Sequence, residues 1–168
     1  MKKIAIILPC YNEGKLVEKF NNSMISCLKD IPYLFEIIYV NDGSTDDTSQ
    51  HIQGLGCNEK NINIQLLNLK YNVGHQLAIY QGLLYVKELS FDNVLIMDSD
   101  GEDDPKAIDF VLKYSENDIV QVTRGKRRES LLFKLFYKIY KLVFFVLIGK
   151  KINYGNFSLI KPKLVAAA

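Results

Sequence analysis

NVLIMDSDGEDDP, residues 93–105, joins an unbroken apolar run to a cluster of acids. Val94, Leu95, Ile96 and Met97 make the short apolar stretch expected of a strand buried on both faces of a parallel sheet. Asp98, Asp100, Glu102, Asp103 and Asp104 then fall within seven residues. A buried strand that ends in carboxylates carries negative charge to the carboxyl edge of its sheet, where open α/β folds bind ligands. Asp98 and Asp100 are one residue apart, so a tight turn brings both toward one ion. Hard oxygen donors on a short loop suit Mg²⁺ or Mn²⁺, with a substrate diphosphate completing the coordination. A plainer reading is a solvated turn capping a helix, with Asp103 or Asp104 as N-cap and Pro105 in the first helical position. That reading accounts for Asp103, Asp104 and Pro105. It leaves Asp98 and Asp100, which precede the cap, without a role.

Strand-like runs that end in polar clusters recur on the N-terminal side. Residues 2–8 (KKIAIIL) read as the first strand, closed by Pro9, Cys10, Tyr11, Asn12, Glu13 and Gly14. A helical pattern follows with Leu16, Val17, Phe20, Met24 and Leu28. Residues 36–40 (EIIYV) form a second strand, ending in residues 41–48 (NDGSTDDT), where Ser44, Thr45 or Asp46 can cap the next helix. Asp42 sits directly at that strand end, where a carboxylate can accept hydrogen bonds from a nucleobase edge; an ordinary βα loop is the alternative. Residues 63–69 supply a third strand, and residues 72–78 open a helix whose apolar face is read as Leu77, Ala78, Leu84 and Val86. Gly74 lets the backbone approach a ligand, while His75 caps, packs or touches a phosphate. A helix over residues 105–114 and a strand over 118–123 complete the pattern. Strand and helix alternate with short links, which implies a mostly parallel sheet covered on both faces. In that arrangement the polar strand ends share one edge, whereas unrelated loops would scatter them.

Composition bounds the rest. With 168 residues, 48% of them hydrophobic and 24% charged, the chain fits one globular domain with a real core, neither disordered nor disulfide-rich. Cys10, Cys27 and Cys57 lack metal-ligand spacing and cannot all pair. Without a signal-peptide pattern, they read as reduced thiols of a cytosolic protein. The net charge of +2 conceals a division: residues 1–120 hold 10 basic and 18 acidic side chains, residues 121–168 hold 11 basic and 1 acidic. Residues 1–123 are therefore read as an α/β core and residues 124–168 as a basic segment that needs an anionic partner. Ala166, Ala167 and Ala168 read as a cut end.

Four motifs carry a resemblance. Pro9-Cys10-Tyr11-Asn12-Glu13, then residues 40–48 (VNDGSTDDT), then Asn72-Val73-Gly74-His75-Gln76 with Ala78 and Gly82, then Met97-Asp98-Ser99-Asp100 stand in an order and spacing that resemble family 2 glycosyltransferases of the GT-A fold. Within that family the chain looks most like the polyprenyl-phosphate sugar transferases, of the dolichol-phosphate and undecaprenyl-phosphate types. The resemblance implies an αβα sandwich with a mostly parallel, Rossmann-like sheet, and transfer of a sugar with inversion from a UDP- or GDP-linked donor. It implies that Pro9, Tyr11 and Glu13 line the nucleotide pocket with Gly74, His75, Gln76 and Ser99, and that Asp42 reads the base. Asp98 would lie by the donor ribose or the metal, Asp100 would ligate Mg²⁺ or Mn²⁺, and Glu102 would reach the same ion. Arg124 matches a basic position that meets phosphate. Asn156 and Asn41 depart from the pattern, since both stand where relatives commonly carry aspartate; the departure at Asn41 is mild, and the one at Asn156 bears on any catalytic role at that position.

A lipid phosphate acceptor is already anionic near neutral pH and needs no general base, and no residue stands out as one; a hydroxyl acceptor would want one. The segment after residue 123 fits that acceptor. Arg124, Lys126, Arg127 and Arg128 form a phosphate-gripping cluster, and residues 131–148 are apolar and aromatic apart from Lys134, Lys138 and Lys141. These lysines fall near one stripe of a helix, a pattern suited to lying in the membrane interface of the inner leaflet rather than spanning it. Packing into a partner subunit or into a segment missing from this sequence is the alternative, and an exposed apolar helix also suits self-association. Nucleic acid is a poor partner, because an acidic edge would repel it. Two other functions compete. A nucleotidyltransferase would need a Gly/Lys-rich triphosphate loop, which residues 8–14 lack. A non-catalytic nucleotide-sugar or membrane-binding module would bind donor without turnover.

Overall fold

The computed structural model describes residues 1–123 and 155–166. In chain order these form β1 (Lys3–Cys10), α1 (Leu16–Leu28), β2 (Leu34–Asn41), α2 (Thr48–Gln53), β3 (Ile62–Asn68), α3 (His75–Lys87), β4 (Asn93–Ile96), α4 (Ala107–Leu112), β5 (Ile119–Gln121), β6 (Ser158–Ile160) and α5 (Pro162–Ala166). The sheet runs β3-β2-β1-β4-β6-β5. β1 pairs in parallel with both β2 and β4, and β2 with β3. β6 is antiparallel to both β4 and β5.

Two expectations change here. The last strand expected from the sequence, over residues 118–123, is shorter and does not adjoin β4. β6 lies between them, with Leu159 opposite both Leu95 and Val120. Residues 158–160, grouped with the basic segment on charge alone, thus sit inside the sheet. Arg124 and residues 131–148 lie outside the described residues.

Alternation along the strands divides the core in two. Ile4, Ile6, Leu8 and Cys10 of β1, with Phe35, Ile37 and Tyr39 of β2, face the layer that holds α1, α2 and α4. Ala5 and Ile7 of β1, with Ile38 and Val40 of β2, face α3 and α5. A sheet apolar on both sides needs helices on both sides, which is the αβα layering that its runs imply. α1 meets its side through Val17, Phe20, Met24 and Leu28, as its periodicity predicts. α3 turns only part of the expected face inward, Ala78 and Val86 but not Leu77 or Leu84. Its buried residues are Ala78, Ile79, Gly82 and Val86, while Leu77 and Leu84 are exposed. The helix lies so close to the sheet that a Cβ on Gly82 would stand 2.7 Å from Ile7 Cγ2 and 3.0 Å from Val40 Cγ2. At that point of contact only glycine fits without a shift of its neighbours.

Because β1, β2 and β4 are parallel, their carboxyl ends lie along one edge. The loops after them carry Tyr11 and Glu13, Asp42, and Asp98 with Asp100. The architecture therefore gathers the polar strand ends.

Candidate functional site

The loop after β4 is shaped by its own acids. Asp103, almost fully buried, accepts the Asp98 amide at 2.8 Å. Asp100 Oδ1 accepts the amide of Glu102 at 2.8 Å around Gly101, whose φ of 85° suits glycine. Asp104 Oδ1 accepts the Lys106 amide at 3.0 Å and caps the turn into α4. Capping thus explains Asp104 as expected, whereas Asp103 closes the acidic turn on itself instead. Asp98 and Asp100 project from this turn into a cleft.

The loop after β2 is tied to the start of α3. Asp42, 3% exposed, accepts the amide of Val73 on Oδ1 at 2.7 Å and that of Gly74 on Oδ2 at 3.0 Å. Gly74, at φ 91°, precedes α3, so Asp42 places His75 and Gln76 at the cleft mouth. Each Asp42 oxygen keeps a lone pair for another donor. Gly43 makes the approach possible: a Cβ there would stand 2.4 Å from the Tyr71 carbonyl carbon. Asn41 turns inward, accepting the Ser44 amide at 3.2 Å and donating to Asn68 Oδ1 at 2.8 Å. Its amide is a structural link between β2 and β3.

The loop after β1 supplies the third wall. Ser99, 2% exposed, has its Oγ 2.7 Å from the Pro9 carbonyl oxygen and 2.8 Å from Glu13 Oε1. A hydroxyl has one proton, and the Pro9 oxygen can only accept. That single proton is shared between the Pro9 carbonyl and the Glu13 carboxyl, both within reach of Oγ as acceptors. Burial drives the Glu13 carboxyl up to about 7; the Ser99 hydrogen bond opposes it, Asp100 and Asp98 add to it, and the Tyr11 amide opposes it. Glu13 is thus poised between acid and carboxylate near neutral pH.

Asn156 joins the site from the far end of the chain. Its Oδ1 accepts Gln76 Nε2 at 3.1 Å; its Nδ2 lies 2.8 Å from His75 Nε2 and 3.3 Å from Asp98 Oδ1. His75 Nε2 is 3.2 Å from the same Asp98 oxygen. The amide thus links β6's approach to α3 and to the acidic turn.

These parts enclose a cleft of about 370 Å³ lined by Pro9, Cys10, Tyr11, Glu13, Asp42, Asn72, Gly74, His75, Ala78, Asp98, Ser99 and Asp100. Of the residues singled out from the sequence, Gln76 reaches the edge through Asn156, while Glu102 is exposed and does not line the cleft. Cys10, Asn72 and Ala78 were not anticipated as lining. Their position beside a strand end or helix start was the available signal. Among the described residues no three His, Cys, Asp or Glu side chains are grouped to hold a metal ion by themselves. The trio of Asp98, Asp100 and Glu102 is therefore not assembled. Two carboxylates remain in the cleft, which is the set a Mg²⁺-type ion uses when substrate phosphates and water complete its shell. Glu13, Asp42, Asp98 and Asp100 make the cleft acidic, so an anionic ligand would enter it only with a compensating cation.

The profile of the Glycosyl transferase family 2 matches residues 5–163. An uncharacterized glycosyltransferase of Synechocystis sp. is 31% identical, the match covering 98% of this chain and 52% of the relative. The undecaprenyl-phosphate 4-deoxy-4-formamido-L-arabinose transferase of Yersinia pestis is 27% identical over 92% of this chain and 47% of its own length. The mannosyltransferase PcManGT of Pyrobaculum calidifontis, solved in complex with GDP-Man and Mn²⁺, superposes with a TM-score of 0.68 at 20% identity, covering 98% of this chain and 46% of that one. The chain spans about half the length of the relatives it matches. Its fold is of the GT-A type, and the chain belongs to glycosyl transferase family 2.

Proposed function

We propose that the chain holds the donor site of an inverting glycosyltransferase that moves a sugar from a UDP- or GDP-linked donor to a polyprenyl phosphate or another cell-envelope glycan acceptor. One observation carries this reading: the ends of three parallel strands deliver Tyr11, Glu13, Asp42, Asp98, Ser99 and Asp100 to a single cleft. Tyr11 offers an aromatic face at the rim, and Asp42 keeps acceptor capacity for a base edge. Asp98 and Asp100 are the residues that would hold Mg²⁺ or Mn²⁺. Such an ion, when bound, supplies Lewis-acid stabilisation of the departing diphosphate. The chain's own part is to bind and orient the donor. The Asp42 clamp fixes the start of α3, and Asn156, His75 and Gln76 set the cleft mouth against Asp98.

The name of a relative and the chemistry of the site support the acceptor. A phosphate acceptor needs no deprotonation, and Asn156 at the cleft mouth is an amide that cannot serve as a base. Contact with the inner face of a membrane through residues 131–148, with Arg124 meeting phosphate, rests on the sequence alone. Among the described residues no helix is long and apolar enough to cross a membrane.

Calorimetric titration with UDP and with GDP, each with and without Mn²⁺, tests the donor site. One nucleotide is expected to bind only with the metal, and Asp100→Ala is expected to weaken it by at least about tenfold, the equivalent of ~1.4 kcal/mol. Binding that ignores both metal and variant overturns the assignment.

A further inference from the structure

Thr48 is fully buried, at 0% exposure, and opens α2 without lining the cleft. Its hydroxyl has one proton and two lone pairs, and the structure uses all three. Oγ1 accepts the backbone N–H groups of Glu13 and Gly14, both at 2.8 Å, and donates to Asp46 Oδ1 at 2.5 Å. The same Asp46 oxygen accepts the Thr48 amide at 3.0 Å. These contacts hold the exposed Asp46 carboxyl below its ordinary range, the Thr48 hydroxyl being the largest cause.

The two amides belong to the turn that opens α1, whose carbonyls accept from Leu16 at 3.0 Å and Val17 at 3.4 Å. Amides at such a start have no partner within their own helix, and no side chain of α1's N-cap supplies one. Thr48 does so from another helix. A second link runs alongside: Ser44 Oγ accepts the Asn12 amide at 3.0 Å, and Asn12 Oδ1 accepts the Thr45 amide at 2.8 Å. Asn12 stands at φ 54°, the left-handed region that most side chains avoid. The loop held by these bonds carries Tyr11 and Glu13 of the cleft.

We propose that Thr48 is a positioning residue for the nucleotide-sugar donor: its hydroxyl locks residues 11–14 into the conformation in which Tyr11 and Glu13 form their side of the cleft. This rests on the donor-site reading above and adds a residue that touches no ligand. Thr48→Val keeps the shape and removes all three hydrogen bonds, whereas Thr48→Ser keeps all three.

The test is calorimetry of the 168-residue chain with Mn²⁺ and whichever of UDP or GDP the wild type binds, well below each variant's melting temperature, alongside hydrogen exchange at the Glu13 and Gly14 amides. Thr48→Val is expected to weaken binding by about tenfold or more, the scale of a hydrogen-bonded anchor lost, and to speed exchange at both amides. Thr48→Ser is expected to stay within about threefold of wild type. A merely structural threonine would lower the melting temperature and leave affinity alone, so unchanged affinity in a folded Thr48→Val overturns the role. Where Thr48→Val does not fold, Asp46→Ala decides. It removes the acceptor that orients the hydroxyl from an exposed position, with a fall of about threefold expected and no fall overturning the role. A wild type that binds neither nucleotide overturns the donor reading itself, and this proposal with it. That outcome is told apart because the wild type fails, not the variant.

Discussion

Glu13 is a cleft carboxyl whose surroundings work against its ordinary charge state. An ordinary glutamate is ionised at neutral pH, but burial, with Asp100 and Asp98 adding to it, lifts this one to about 7. The sign of the consequence follows from proton linkage. Above the unfolded value near 4.5, the unfolded chain has released its proton while the folded protein still holds it. This contribution to stability is complete below that value and is lost as pH rises through the folded pKa. In metal-free buffer the wild type is expected to lose roughly 2–3 kcal/mol of this contribution between pH 5 and pH 8. Glu13→Gln, neutral throughout, loses none of it. Urea unfolding of both proteins at the two pH values measures the difference, and parallel pH profiles would refute it. The sequence marks Glu13 as a polar group after a strand, as it marks Asp42, Asp98 and Asp100. It does not mark the charge state, because that is set by burial in the folded chain, with Asp100 and Asp98 adding to it. Asn156 is similarly hidden, its contact with Asp98 spanning 58 residues.

α3 shows how an element can be legible and its orientation not. Its existence, opening within residues 72–78, follows from the sequence, and the structure starts it at His75. Its inward face was expected to include Leu77 and Leu84, on the reasoning that the largest apolar residues seek the core. The structure places Ala78, Ile79, Gly82 and Val86 there, since the helix backbone approaches Ile7 and Val40 too closely for a longer side chain at its centre. Distance between layers is a tertiary quantity that periodicity does not encode. Gly82→Ala ordinarily favours a helix by up to about 1 kcal/mol. Here the added methyl would stand 2.7 Å from Ile7 Cγ2, and overpacking of this kind costs about 1–3 kcal/mol. The substitution is expected to lower stability despite the gain in propensity, while Leu84→Ala, at a 37% exposed position, shifts it far less. Chemical denaturation of the pair checks the order; a Gly82→Ala protein more stable than wild type would show that the sheet yields.

At the scale of the whole molecule, the charge division near residue 120 and the structural division do not coincide. Four parallel strands, their covering helices and the shared ligand edge are readable from apolar runs and the polar clusters that end them. The sixth strand is not readable, because Ser158, Leu159 and Ile160 are too short a run to stand out beside the long apolar and aromatic run of residues 131–148. β6 nevertheless closes the core. Phe157, Leu159 and Ile160 are 2%, 0% and 9% exposed, with Leu159 in one layer and Ile160 in the other. Full burial of a large apolar side chain is worth about 1.5–3 kcal/mol, so these three contribute on the order of 5–9 kcal/mol. That is comparable with the roughly 5–15 kcal/mol that holds an ordinary domain folded. Without β6, β4 would become an open edge and β5 would have no partner, since β5 pairs with β6. The fragment of residues 1–123, which charge and composition mark as a core, is therefore expected to lack a cooperative thermal transition and to self-associate. Circular dichroism melting and size-exclusion chromatography against the 168-residue chain provide the comparison. A monomeric fragment melting like the longer chain would mean that β1–β4 and their helices stand alone, and that the strand carrying Asn156 to Asp98 serves the site without holding up the fold.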